Sequence, residues 1–168
     1  HIIWDWNGTL VDDAWLFVEL MNKVLKKRNL PLITLNDYQQ TFCFPLEKYY
    51  QNLGFDFKVE PYEVPSIEFI DLYNTNKFRP KLYPKAIELI TKIKNAGINN
   101  YILSAQNHHS LLELIDFYNL KGFFKKIKGT NNLHARGKDL IASQLLDFPN
   151  NIDNVLDNES TGLLQGNW

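Results

Sequence analysis

Three short apolar segments, each followed directly by a polar residue, constrain the fold of this chain more than any other feature. They are residues 2–4 before Asp5, residues 101–103 before Ser104, and the more mixed segment 152–156 before Asp157, which also contains Asp153 and Asn154. Runs this short and this apolar are typical of strands buried on both faces of a parallel sheet. The carboxyl ends of such strands meet at one edge of the sheet, where ligands bind in open α/β folds.

Segments with helical periodicity separate these strands. The predicted helices span residues 14–28, 34–38, 45–53, 66–76, 85–96, 110–118 and 138–146, and a further short strand is predicted at 123–127. Strands that alternate with helices at this spacing predict parallel βαβ units with right-handed crossovers. Residues 14–79 hold helices and no convincing strand, so we interpret them as a helical insertion after the first strand.

The predicted fold class is therefore α/β, with a Rossmann-like three-layer core around a parallel sheet. Residues 1–13 and 80–168 are expected to form this core, and residues 14–79 a small α-helical cap. The length of 168 residues fits one core domain with a small insertion.

Composition narrows the classes of partner. The net charge of -1 gives no reason to expect a nucleic-acid or anionic membrane partner. No apolar stretch approaches the roughly 18–20 residues of a membrane span. The single cysteine, Cys43, excludes an internal disulfide and fits a reducing compartment. We expect a cytoplasmic protein, either a monomer or a homodimer.

The run Asp5-Trp6-Asn7-Gly8-Thr9 follows the first strand directly. An acid at this position points into the ligand crevice of a parallel sheet. Gly8 would let the backbone turn close to a bound group, and the Thr9 hydroxyl would hydrogen-bond an oxyanion. The alternative is a plain turn between a strand and a helix.

Two later residues extend this pattern. Ser104 ends the second buried strand, in register with Asp5, and Lys138 begins a predicted helix. A lysine there would place a compact positive charge on an anionic group. Taken singly, a serine at a strand end is usually a helix cap, and a lysine in a first helical turn is usually solvated.

In this order, the motifs at Asp5, Ser104 and Lys138 resemble the signature of the haloacid dehalogenase-like hydrolase superfamily. The chain looks most similar to its phosphoglycolate phosphatase-like and β-phosphoglucomutase-like group, which has a helical cap. The resemblance implies hydrolysis of a small phosphorylated metabolite, in which Asp5 attacks phosphorus and forms an aspartyl-phosphate.

The same resemblance implies two sets of ligands. The residues expected to bind the phosphoryl group are Gly8, Thr9, Ser104, Ala105 and Lys138. Mg²⁺ would be held by Asp5, by the backbone carbonyl of Asn7 and by Asp157, all oxygen donors of the kind that this ion prefers.

The motif around Asp157 departs from the superfamily pattern, which commonly has Gly-Asp at the end of this strand. Here Asp157-Asn158-Glu159 follows Leu156 at once. In one interpretation Asp157 is the primary metal ligand on a shortened strand. In the interpretation that we favour, residues are missing between Leu156 and Asp157, and again before Ser160.

Asn7 is the second departure, because it stands where the phosphatases carry an Asp that protonates the leaving oxygen and later deprotonates the attacking water. An amide can do neither, and this general acid–base catalysis is typically worth about 10²–10⁴ in rate. Three accounts stay open: hydrolysis of substrates with good leaving groups or with an acid recruited from elsewhere, a non-catalytic phosphate-binding or regulatory relative, or an engineered Asn7. Asp12 and Asp13 are expected to cap the next helix rather than to substitute. Dehalogenase-type hydrolysis at carbon is a further alternative.

Overall fold

The computed structural model describes residues 1–130 and 154–156. The strands are β1 (Ile2–Trp4), β2 (Val11–Asp12), β3 (Lys81–Leu82), β4 (Asn100–Asn107), β5 (Lys126–Thr130) and β6 (Asn154–Leu156). The helices are α1 (Ala14–Lys26), α2 (Leu35–Thr41), α3 (Leu46–Asn52), α4 (Glu63–Asn76), α5 (Ala86–Asn95) and α6 (His108–Phe117).

The main sheet has four parallel strands in the order β5-β4-β1-β6. In the register of β1 with its two neighbours, Trp4 lies opposite both Ile102 and Leu156. The chain moves from β1 to one side of the sheet and returns for β6 on the other. This change of direction opens a crevice beside the carboxyl end of β1. The predicted Rossmann-like α/β fold with a parallel sheet is confirmed.

Apolar side chains from the sheet and from α5 and α6 form the core that holds β1 in place. Trp6, Ile102, Leu111 and Leu114 are at most 1% exposed and belong to one buried cluster. Full burial of each leucine or isoleucine contributes about 1.5–3 kcal/mol. The chain segment that begins at Trp4 is therefore anchored on both sides of Asp5.

Helices α1 to α4 lie between β2 and β3 in the chain. They enclose a second apolar cluster, which includes Met21, Val24, Tyr49 and Tyr50. The antiparallel pair β2–β3, in which Val11 lies opposite Leu82, joins the start and the end of this segment. The sequence analysis missed this pair, because two-residue strands carry no readable periodicity. The predicted bounds of core and cap stay a prediction.

Several element bounds differ from prediction. α4 begins at Glu63 rather than 66, because Pro65 fits a first helical turn, where its missing N–H is not needed. α2 extends to Thr41, and Thr34 caps its start: Thr34 Oγ1 accepts a hydrogen bond from Asp37 N at 3.2 Å. The strand predicted at 123–127 instead spans Lys126–Thr130, because residues 121–123 form a 3₁₀ turn.

The helix predicted at 138–146 lies outside the described residues. Among the helices that the structure describes, none combines the length and the apolar character needed to span a membrane.

Candidate active site

The carboxylate of Asp5 lies directly after β1 and is only 5% exposed. Asp5 and Asn7 both line a cavity of about 700 Å³. Further lining residues come from α1 to α4, from the end of β4 and from α6. The cavity therefore lies between the carboxyl edge of the sheet and the helical segment.

Ser104 lies beside this motif, as the sequence predicts. Its hydroxyl donates a hydrogen bond to Asn7 Oδ1 at 3.4 Å and accepts one from Gln106 N at 3.0 Å. One detail of the prediction is wrong: β4 continues to Asn107, so Ser104 lies within the strand rather than at its end. Pairing of β4 with β5 shifts register between Leu103 and Asn107, and this irregular stretch carries Ser104, Ala105 and Gln106.

The side chain of Asp13 has a different role from the helix capping that the sequence predicts. It occupies the N-cap position of α1, but its side chain makes no capping hydrogen bond. Its two carboxylate oxygens instead accept hydrogen bonds from Asn7 Nδ2 at 2.6 Å and from Gly8 N at 2.9 Å. Asp13 thus holds the motif rather than the helix.

Burial has the largest effect on the pKa of Asp13. Asp13 is 2% exposed, and loss of solvation raises its pKa to about 7, against the hydrogen bonds from Asn7 and Gly8, which lower it. The negative charge of Asp5 acts in the same direction as burial. Two carboxylates are therefore held close together in a poorly solvated place.

The turn after Asn7 depends on Gly8, whose φ of 69° lies in the left-handed region. Gly8 N donates to Val11 O at 3.0 Å, and Thr9 N donates to Trp6 O at 3.3 Å. Of the residues predicted to bind the phosphoryl group, Ala105 lines the cavity, whereas Gly8, Thr9 and the fully buried Ser104 are not among its lining residues.

Lys77 is a site residue that the sequence analysis missed. It is 7% exposed and lines the cavity together with Ser110 and Glu113. Its ammonium group donates to Ser110 Oγ at 3.0 Å and forms an ion pair with the Glu113 carboxylate. A lysine just after a helix is usually solvated, so nothing in the local sequence indicates its burial.

The predicted phosphoryl ligand Lys138 and the predicted metal ligand Asp157 lie outside the described residues. Within residues 1–130, no cluster of three or more His, Cys, Asp or Glu side chains suited to a metal ion is present. The donors that are described nevertheless fit Mg²⁺, because the buried Asp5 supplies a hard oxygen and the repulsion between Asp5 and Asp13 would be offset by a cation.

The fold and the site define an α/β protein with a ligand cavity at the carboxyl edge of a parallel sheet. A family model described as haloacid dehalogenase-like hydrolase matches residues 2–146. The chain belongs to this family. Comparison with the curated proteins found no match.

Solved structures with the same fold are distant in sequence. A haloacid dehalogenase-like family hydrolase from Streptococcus pneumoniae is 20% identical, with a TM-score of 0.72 over 87% of this chain and 68% of that one. The Protein Tyrosine Kinase A of Mycobacterium tuberculosis is 17% identical, with a TM-score of 0.75 over 92% of this chain and 71% of that one. A predicted phosphoglycolate phosphatase from Haemophilus somnus 129pt is 18% identical, with a TM-score of 0.65 over 77% and 62% of the two chains. Identities this low establish the shared fold alone.

Proposed function

We propose that this protein hydrolyses a phosphomonoester with Asp5 as the nucleophile. The observation that carries the proposal is the placement of Asp5. Its carboxylate lies at the carboxyl end of a central parallel strand and lines the cavity, with Asn7 beside it and Ser104 hydrogen-bonded to Asn7. This arrangement suits in-line attack on a group bound at the sheet edge.

The chemistry runs in two steps. A carboxylate oxygen of Asp5 attacks phosphorus, and the bond from phosphorus to the leaving oxygen breaks. Water then attacks the phosphorus of the aspartyl-phosphate, which releases inorganic phosphate and restores the carboxylate. Asn7 supplies no proton, so the leaving oxygen takes its proton from water, and the first step is slow for poor leaving groups.

Three further assignments belong to this proposal. Asp5, the backbone carbonyl of Asn7 and Asp157 would hold Mg²⁺, which neutralises phosphate charge when bound. The helical segment at 14–79 would act as a cap that excludes water from the cavity. We place the protein in the cytoplasm as a monomer or homodimer acting on a phosphorylated metabolite, with neither nucleic acid nor membrane as a partner.

Phosphate release from a panel of phosphomonoesters with Mg²⁺ tests the nucleophile. Asp5→Asn keeps the size of the side chain and removes its negative charge, so phosphate release should fall to background. Asp12→Asn is the matched control, because Asp12 is an exposed residue of β2, and it should retain the wild-type rate. Equal rates in the wild type and Asp5→Asn would contradict the proposal.

A second candidate function is favoured by Asn7 itself. Its amide is hydrogen-bonded at both ends, with Nδ2 on Asp13 and Oδ1 on Ser104, which suits a rigid phosphate-binding site without acid–base chemistry. A non-catalytic binder would be stabilised by phosphate against heat and would release no phosphate from any ester. Turnover above that of Asp5→Asn would exclude it.

A further inference from the structure

The cavity beside Asp5 differs in chemistry from one side to the other. Its charged lining residues are Asp5 at the sheet edge, Glu113 on α6 and Lys77, which is paired with Glu113. On α2, α3 and the loop between them, the lining residues are all aromatic or apolar: Tyr38, Phe42, Phe44, Leu46, Tyr49 and Tyr50. A ligand that fills both sides must therefore be polar at one end and apolar at the other.

The aromatic side chains form one continuous wall. Tyr38 lies between Phe17 and Phe42, with ring centroids 6.3 and 5.1 Å away, and Phe17 also contacts Phe69 at 5.7 Å. Phe42 extends the wall to Phe44 at 5.4 Å. Such walls favour flat rings, which add edge-to-face and offset-stacked contacts to plain burial.

Apolar surface in the cavity is left open to solvent. Ile67 and Ile70, on α4, are 49% and 37% exposed, and both line the cavity. The volume of about 700 Å³ falls within the roughly 300–1,000 Å³ of sites that hold drug-sized ligands. A leaving group as small as glycolate would leave the apolar surface of Ile67 and Ile70 exposed to water.

Tyr49 adds a polar atom within the aromatic wall. The residue is 3% exposed and lines the cavity, and its hydroxyl is buried without a hydrogen-bond partner in the described part of the chain. Its ring packs against Phe42 at 5.3 Å and Tyr38 at 6.2 Å. Buried hydroxyls are normally hydrogen-bonded, so a ligand atom that reaches this hydroxyl would supply the partner that the described residues do not.

We propose that the substrate is a phosphomonoester whose leaving group carries an aromatic ring with a hydrogen-bonding substituent. The phosphate would lie at Asp5, the ring against the wall that includes Phe42, and the substituent at Tyr49 Oη. The inference rests on the proposed function, because the position of the phosphate at Asp5 comes from that proposal. It narrows the substrate from any small phosphorylated metabolite to an amphiphilic, ring-bearing one.

Three primary alkyl esters test the ring preference without a large change in leaving-group basicity. They are ethyl phosphate, 2-phenylethyl phosphate and 2-(4-hydroxyphenyl)ethyl phosphate. We expect kcat/KM to rise at least about tenfold from the first to the second, and further for the third. Equal kcat/KM for the ethyl and phenylethyl esters would overturn the inference and leave the hydrolase proposal standing.

The Tyr49 contact has its own variant. Tyr49→Phe keeps the ring and removes only the unpartnered hydroxyl, so the fold is preserved. It should lose the advantage of the hydroxyphenyl ester over the phenyl ester. Tyr62→Phe is the matched control, because Tyr62 is buried in the same helical segment but is not among the cavity-lining residues. An unchanged preference in Tyr49→Phe would overturn this contact.

A binding measurement separates failure of the inference from failure of the proposed function. The phosphonates of the ethyl and 2-phenylethyl groups are not hydrolysed, so thermal shifts report binding alone. Stronger stabilisation by the phenylethyl compound supports the aromatic subsite even when no ester is turned over. Equal stabilisation by both compounds counts against the subsite whether or not phosphate is released.

Discussion

The side-chain amide of Asn7 donates a 2.6 Å hydrogen bond to the carboxylate of Asp13. This contact joins the residue that departs from the family motif to a buried acid six positions later. The same carboxylate accepts from Gly8 N, so one side chain fixes both the amide and the turn. Asp13 therefore determines which atom Asn7 presents to Ser104.

Exchanging the two side chains tests this relationship. In Asn7→Asp, two carboxylates would face each other at hydrogen-bond distance, which disfavours ionisation of both. In Asp13→Asn, the oxygen of the new amide would still accept from Gly8 N, so its NH₂ group would face the NH₂ group of Asn7. Two donors would then meet, and the hydrogen bond between the two side chains would be lost. The double variant restores one amide and one carboxylate. We expect a coupling of about 0.5–3 kcal/mol in the free energy of unfolding, measured by urea denaturation of all four proteins.

The exchange also has a kinetic consequence. The double variant carries the acid at position 7 that phosphatases of this group use, held by a neutral partner. Phosphate release should exceed that of the wild type, within the roughly 10²–10⁴-fold that general acid–base catalysis contributes. Asn7→Asp alone should gain less. A double variant no faster than the wild type would mean that Asn7 does not limit the rate.

Lys77 should contribute positive charge for anion binding, because no other lysine or arginine of the described residues lines the cavity. In Lys77→Met, KM for a phosphomonoester should rise about tenfold or more, as expected when a charged hydrogen-bond donor is lost. Glu113→Gln is the matched control: it leaves the ammonium group in place, so KM should not rise. An unchanged KM in Lys77→Met would show that the lysine only joins α4 to α6.

Gly129 allows β5 to approach the end of β4 closely. A Cβ atom there would lie 2.5 Å from Gln106 O and 2.8 Å from His108 Cα, both backbone atoms. Gly129→Ala should therefore lower the free energy of unfolding by about 1–3 kcal/mol and reduce activity by shifting the Ala105–Gln106 stretch. Gly122→Ala should change neither, because a Cβ at Gly122 meets nothing within 4 Å. Equal stability of the two variants would contradict this packing.

The Glu19–Arg79 pair should make stability depend on pH. Arg79 donates to both Glu19 oxygens at 2.9 Å and, with Lys23, lowers the pKa of Glu19 to about 2. Because the folded pKa lies below the unfolded value, the pair stabilises the protein above the unfolded pKa of 4.5, and this contribution is lost as the pH falls towards 2.

Arg79→Met checks this dependence. By NMR, the pKa of Glu19 should move back towards its ordinary value. The difference in stability between wild type and variant should be larger at pH 7 than at pH 2. Lys81→Met, at an exposed position of β3, should show neither effect. A difference independent of pH would contradict the electrostatic origin.

The sequence by itself determined the fold class and the place of Asp5 at the end of the first strand. Both depend on signals local in the chain: the apolar run before Asp5, the run before Ser104 and helical periodicity between them. Parallel pairing of β1 with β4 then sets their register, in which Trp4 lies opposite Ile102. Even there, the end of β4 was misjudged, because its last residues are only partly buried and carry no apolar pattern.

Only the tertiary structure decided where the side chains of Asp13, Lys77 and Tyr49 lie. Asp13 and Tyr49 match ordinary local patterns, a helix cap and a core aromatic, and Lys77 matches a solvated helix end. Their partners lie on other elements or across a tight turn: Asn7 and Gly8 for Asp13, and α6 for Lys77. Burial and partner choice are properties of packing between elements, so they have no local signature. The same holds for the aromatic wall, which exists only once α1 to α4 pack over the sheet edge.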